Sequence, residues 1–185
     1  MNVFLIGYRG SGKSTTGAIL ARRLGWTFVD LDELIEKQAG KSVVDLFREE
    51  GEEAFRQRER ATLESIRRQK QQVIALGGGA IVSPEVRTLV KRMGKAVWLQ
   101  APAAILHSRL QKDAKAGKVR PELLPGGGLH EVEQKLNERT PLYRAVANHI
   151  VDSVATLPED IAESIELWLD ANDADAAADE PQTKL

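Results

Sequence analysis

The sequence predicts an α/β fold: a three-layer αβα arrangement in which a parallel sheet carries helices on both faces. Three observations predict it. Short apolar runs alternate with longer amphipathic segments along most of the chain. The first run, NVFLI (2–6), leads directly into a glycine-rich loop, GYRGSGKST (7–15), and then into a helical pattern. The loops after the first three runs are chemically unusual: the glycine loop, VDLD and LGGGA. Apolar strands that alternate with helices are the mark of a sheet buried on both faces. Such sheets bind ligands beyond the carboxyl ends of their strands.

The elements follow in order. NVFLI (2–6) has the continuous apolar character of a central strand. KSTTGAILARRLG (13–25) reads as a helix ended by Gly25. TFVD (27–30) is a second strand. DELIEKQAG (32–40) is a short helix stopped by Gly40. Ser42 with Asp45 caps SVVDLFREE, and residues 52–70 form a charged helix. QVIAL (72–76) is a strand running into GGGA. Ser83-Pro84 is an N-cap followed by a proline at the first helical position, which opens 84–92. KAVWLQ (95–100) is a strand, 102–112 a helix and 113–128 loop-like. A helix over 129–147, a strand HIVD (149–152) and a helix over 158–170 complete the domain, expected to span 1–170.

The chain has 185 residues, enough for one domain with a full core and a tail. Its 42% hydrophobic and 29% charged residues are those of an ordinary globular protein. No apolar run approaches membrane-spanning length, and the start lacks a basic region ahead of its short apolar stretch, so no signal peptide is expected. There are no cysteines, which excludes disulfides and thiolate metal sites. His107, His130 and His149 are spread without metal-ligand spacing. A cytoplasmic protein is expected. The net charge of −1 is unevenly placed: five acids against Lys184 leave the last sixteen residues at −4 and the rest at +3. The mildly basic body suits a small anionic ligand and lacks the long basic run that tracks nucleic acid. Residues 171–185, rich in Ala and Asp, read as a disordered acidic tail.

Gly7 to Ser14 fits G-x-x-x-x-G-K-[ST], with a strand before it and a helix after it. Glycines let backbone wrap an anion without Cβ clashes. Successive N–H groups then converge at a helix N-terminus that favours negative charge. Gly10, Ser11, Gly12, Lys13, Ser14 and Thr15 form the phosphate cradle; Lys13 reaches the β- and γ-phosphates, and Ser14 offers its hydroxyl to Mg²⁺. A dinucleotide pattern fails, because the third glycine it requires is Thr15.

What happens to the phosphate separates two classes, a small-molecule kinase and a nucleotide-driven switch or ATPase. No N-K-x-D segment for guanine is present, and the strand VIAL ends in Gly77-Gly78-Gly79 where a Walker B strand would end in an acid. Three glycines allow close approach to a ligand, or are a turn. Asp30 ends the second strand and Asp32 follows two residues on, so both point one way along an extended chain. One acid can then serve a metal and the other an acceptor hydroxyl; alternatively Asp32 is a helix N-cap. Arg56 and Arg139 are each readable as surface charges, yet brought together they would grip a carboxylate bidentately. Arg120, in 113–128, is either part of a basic loop or the arginine of a lid closing on the γ-phosphate.

Taken in order, GYRGSGKST, DLD, FRQRE, LGGGA, RPELL and RTPLY resemble shikimate kinase, of the nucleoside-monophosphate-kinase-like P-loop group, over about residues 2–170. The resemblance implies a five-stranded parallel sheet in order 2-3-1-4-5, a substrate-binding region over 31–61 and a lid over 113–125. It implies that ATP phosphorylates the 3-hydroxyl of shikimate, on the route to chorismate and the aromatic amino acids. Asp32 would bind the acceptor hydroxyl and act as its base or orienter. Arg56 and Arg139 would hold the carboxylate, and Gly77, Gly78 and Gly79 would pack against the ring. Asp30 would hold Mg²⁺ through water while Ser14 binds it directly. Arg120 would be the lid arginine, and Arg109 would stack near adenine.

The chain departs from the family pattern in a long lid, in RPELL for the usual RPLL, and in VDSVATLPED, which lacks the family's arginine after the last strand. Two rivals are weighed, a gluconate-type kinase and a non-catalytic nucleotide-binding regulator. FRQRE with RTPLY favours shikimate over the first; the presence of Lys13, Asp32 and Arg120 argues against the second. The partners expected are shikimate and ATP, with no nucleic acid and no membrane, and the chain is expected to be a monomer.

Overall fold

A computed structural model of the chain describes residues 1–115, 127–154 and 156–178. Its sheet has five parallel strands: β1 (Asn2–Ile6), β2 (Thr27–Asp30), β3 (Gln72–Ala75), β4 (Gly94–Gln100) and β5 (His149–Asp152), in the order β2-β3-β1-β4-β5. β1 is central, with Val3 beside Val73 on one flank and Lys95 on the other. All five of its residues are buried, as its unbroken apolar run requires.

Strand alternation divides the core in two. Phe4, Ile6, Ile74, Ala96 and Trp98 point to one face. There they meet α2 (Leu31–Ala39), α3 (Val43–Ser65), α4 (Pro84–Met93) and α6 (Gly128–Val146) through Ile35, Phe55, Val90 and Tyr143. Val3, Leu5, Val73, Val97 and Leu99 point to the other face, where Leu20 of α1 (Lys13–Leu24) and Ile161 and Ile165 of α7 (Pro158–Ala178) cover them. A third cluster joins Tyr8 to Leu106 of α5 (Ala103–Lys115) and Val132 of α6. It lies directly after β1 and supports the glycine loop. Each fully buried large side chain contributes roughly 1.5–3 kcal/mol, so β1 is an anchor from which residues 7–12 emerge in a defined place.

The elements agree with the sequence pattern, with three instructive differences. The extended backbone expected to carry both Asp30 and Asp32 ends at Asp30. Asp30 caps α2 by accepting from the N–H groups of Asp32 and Glu33 at 3.1 and 3.4 Å. Asp32 is therefore a first-turn residue and not the N-cap. The two helical segments expected on either side of Gly51 are present, and α3 is kinked between them where Gly51 (φ 83°) leaves helical geometry. α3 stops at Ser65, before the polar run RRQK that offers the core nothing. As the helix expected over 129–147 requires, α6 runs through Pro141. Its ring removes one N–H donor but the flanking turns carry Arg139, Tyr143 and Val146 into buried positions. α7 continues to Ala178, past the expected end at 170, through the alanine-rich DANDADAAA. Residues 116–126, including Arg120 and most of the expected lid, lie outside the described residues, as do 179–185 of the tail.

Candidate active site

Two adjoining clefts open at the carboxyl ends of β1, β2 and β3. One is lined by Gly10, Gly12, Lys13, Ser14 and Thr15 of the glycine loop, with Asp113 of α5 opposite. Gly12 (φ 94°) caps α1 in a left-handed conformation and brings no side-chain hydrogen bond to the helix start. A residue with a Cβ would be strained there, and the first-turn N–H groups keep their aim at an anion. Ser11 is buried beneath the loop. Lys13, 9% exposed, lies along it and donates to the carbonyls of Gly7 and Tyr8 at 3.0 and 2.9 Å. Phosphate oxygens can replace these two carbonyls as its acceptors without moving the stem far.

Ser14 donates through Oγ to Asp30 Oδ2 at 2.6 Å, while Asp30 Oδ1 caps α2. A hydroxyl and a carboxylate so placed at the phosphate cradle are the hard oxygen donors Mg²⁺ takes beside a nucleotide. Among the described residues no cluster of three or more His, Asp or Glu is built for a metal. A magnesium ion completed by phosphates and water does not need one.

The second cleft has a volume of about 360 Å³ and is lined by Asp32, Arg56, Glu59, Gly77, Gly78, Gly79 and Arg139, with Phe47 and Phe55 as apolar wall. Arg56 comes from α3 and Arg139 from α6. The fold therefore brings the two arginines into one cleft, and Asp32 stands in the wall shared with the phosphate cleft. Arg139, 6% exposed, donates to Gly78 O at 3.2 Å and lies 5.6 Å from the Tyr8 ring centroid. Tyr143 Oη donates to the same carbonyl at 2.6 Å. Arg56 donates to Glu59 Oε2 at 2.5 Å and to Glu52 Oε1 at 3.0 Å.

The three consecutive glycines have three separate reasons. A Cβ on Gly77 would come within 2.7 Å of Asp32 Oδ1 and 2.8 Å of Glu59 Oε1. One on Gly78 would meet the Arg9 nitrogen at 2.9 Å, and one on Gly79 would overlap the Arg56 guanidinium. Close approach of charged side chains fixes Gly77 and Gly79, and close approach of the glycine-loop backbone fixes Gly78.

Arg109 lines neither cleft. Its guanidinium reaches Gly10 O at 3.3 Å and Ser153 O at 2.5 Å, bracing the glycine loop against the segment after β5. Two charged residues of the site escaped the sequence reading. Glu59 lies three residues after Arg56 within FRQRE, a spacing that puts both on one helix face. It is buried, and burial raises its carboxyl to about 7, against the pull of Arg56 and helped by the charge of Asp32. Arg9 occupies a position the glycine-loop pattern leaves open, and it pairs with the buried Glu131 of α6. No spacing in the sequence announces that pair.

Residues 9–170 match the family model described as shikimate kinase. A shikimate kinase from Rhodopirellula baltica is 43% identical over 152 residues, covering 82% of this chain and 81% of its own. One from Francisella tularensis subsp. holarctica is 41% identical over 169 residues, covering 91% and 94%. Among solved structures, a shikimate kinase from Acinetobacter baumannii in complex with shikimate superposes with a TM-score of 0.85 at 34% identity. It covers 92% of this chain and 93% of that one.

Proposed function

The chain belongs to the shikimate kinase family, and from that premise we propose which of its residues carry each part of the reaction. Its activity is the ATP-dependent phosphorylation of shikimate, a step of aromatic amino-acid biosynthesis. The observation that supports the assignment of residues is a convergence: two arginines from separate helices in one cleft, and Asp32 in the wall that cleft shares with the phosphate cradle.

Arg56 and Arg139 hold the shikimate carboxylate through guanidinium forks. The Gly77–Gly79 backbone bounds the ring. Asp32 accepts the proton of the acceptor hydroxyl as its oxygen attacks the γ-phosphorus and the bond to the ADP oxygen breaks. Lys13 and the glycine-loop N–H groups hold the phosphates and stabilise charge as it builds. Ser14 and Asp30 would hold Mg²⁺, which neutralises phosphate charge when bound. Arg120 adds a cation over the γ-phosphate, and Arg109 lies on the adenine side of the loop. A monomer working in the cytoplasm, where its donor ATP is made and used, completes the reading. Light scattering should then give a concentration-independent mass near the 20.4 kDa of one chain; a stable dimer would refute it.

The test of function is ADP release from Mg·ATP with shikimate, with gluconate or with neither. Stimulation by shikimate alone is expected. Stimulation by gluconate would overturn the roles of Arg56 and Arg139, and ATP binding without any stimulation would favour a non-catalytic regulator. Family membership disfavours both rivals.

Glu59 gives a pH dependence. Its carboxyl is raised to about 7, so its neutral form is favoured in the folded chain. That contribution to stability is present below the ordinary carboxylate range and is lost as pH rises through 7. A carboxylate bound on Arg56 favours the neutral form further, so shikimate binding takes up a proton. Shikimate affinity should therefore fall about 3- to 10-fold from about pH 6 to about pH 8.5. Glu59→Gln, held neutral, should flatten the profile in calorimetric titrations. A profile equally steep in Glu59→Gln would assign the titration elsewhere.

A further inference from the structure

Six residues line both clefts: Arg9, Ser14, Asp30, Asp32, Gly77 and Gly78. They form the wall that a phosphoryl group crosses between the nucleotide and the acceptor. Arg9 is the one cation among these six described residues. Lys13 lines only the phosphate cleft, and Arg56 and Arg139 line only the other.

We infer that Arg9 is a further catalytic residue of this chain, a guanidinium that meets the transferring phosphoryl group midway between donor and acceptor, with Glu131 as its positioning residue. The inference rests on the shikimate-phosphorylation reading above. Three contacts place Arg9. The buried Glu131, in the first turn of α6, pairs with its Nη2. Its guanidinium carbon lies 5.7 Å from the Tyr8 ring centroid, the ring that Arg139 approaches at 5.6 Å. Its backbone nitrogen is packed against Gly78, where even a Cβ would intrude. The residue is thus held by its own loop, by α6 and by the glycine segment after β3.

The chemistry suits that place. In phosphoryl transfer, charge spreads over the three equatorial oxygens while the in-line oxygens are loosely bonded. A guanidinium carries five N–H donors in a rigid fork, so one edge can be oriented by a carboxylate while another donates to an equatorial oxygen. A cation fixed beforehand needs no reorganisation when that charge develops. Glu131 accounts for how so short a span as the glycine loop keeps a long side chain aimed across the wall. Its own charge is spent on Arg9 in a buried pair, and α6, which also supplies Arg139, sets the distance between the phosphoryl-facing arginine and the carboxylate-facing one.

The test is steady-state kinetics and thermal unfolding of full-length Arg9→Met, Arg9→Lys and Glu131→Gln. Arg9→Met should lower kcat by about 10- to 1000-fold, the range for loss of one preorganised donor, with both KM values held within about threefold. Arg9→Lys should recover part of kcat, because it restores charge without the fork. Glu131→Gln should show the same kcat-selective loss at smaller size. Binding of Mg·ADP with aluminium fluoride and shikimate, a mimic of the transferring group, should weaken in Arg9→Met while Mg·ADP alone binds as in the wild type. An Arg9→Met enzyme with wild-type kcat would overturn the inference. So would a loss in kcat that Arg9→Lys does not relieve and that follows a lowered Tm, because that is a structural role. A wild-type protein whose ADP release ignores shikimate would instead overturn the underlying reading, and this inference with it.

Discussion

Replacing Asp32 by asparagine is expected to lower kcat for shikimate phosphorylation by about 10³-fold or more, within or above the usual range for a lost general base. ATP binding should stay within about twofold. Asparagine keeps the shape and one oxygen acceptor but cannot take a proton. The substitution should not unfold α2, because Asp30 and not Asp32 caps that helix. Nor should it disturb the phosphate cradle, whose lysine is held by the Gly7 and Tyr8 carbonyls and whose serine is held by Asp30. Single-turnover rates with saturating shikimate, paired with calorimetric ATP binding, check it. A fall in ATP affinity as large as the fall in rate would assign Asp32 to the nucleotide. The change also carries a second signature. The charge of Asp32 helps hold the Glu59 carboxyl up near 7, so the pH midpoint of shikimate binding should move down in Asp32→Asn. A general base without that neighbour would leave the midpoint where it was.

Most of this site was legible because its parts are local. The glycine loop lies within nine residues, and its strand and helix flank it directly, so pattern and context arrive together. The sheet followed from apolar runs that must be covered on both faces, and its order from the resemblance of several motifs in sequence. Asp30 stands at the end of β2 as the sequence predicts, and Asp32 lines the same clefts from the first turn of α2, for a reason other than strand alternation. They converge because Asp30 turns the chain into α2, not because an extended strand aligns them. Glu59 was inside a quoted motif, but its meaning depends on burial against Arg56 and Asp32, which no spacing encodes. The Arg9–Glu131 pair joins positions 122 residues apart. Only the folded chain brings a variable position of the phosphate loop against the first turn of α6.

Replacing Arg139 by alanine should weaken shikimate binding by about 2–5 kcal/mol, on the order of 30- to several-thousand-fold in Kd. ATP binding should hardly change, because Arg139 lines only the acceptor cleft. The size follows from burial. Arg139 is 6% exposed, so water cannot easily replace a guanidinium that pairs with the shikimate carboxylate, and the loss leaves that carboxylate facing Arg56 alone. Arg56 is a weak substitute, because Glu59 and Glu52 already draw on its donors. Collapse of the glycine segment is not expected to add much. Gly78 O loses the Arg139 bond but keeps the 2.6 Å bond from Tyr143, which stacks on Trp98 in the core. Arg139→Lys separates charge from geometry: a compact ammonium keeps the charge but not the fork, and should recover only part of the affinity. Equilibrium titration with shikimate decides the matter. An unchanged Kd in Arg139→Ala removes this arginine from the substrate site, and full recovery by lysine reduces its role to charge alone.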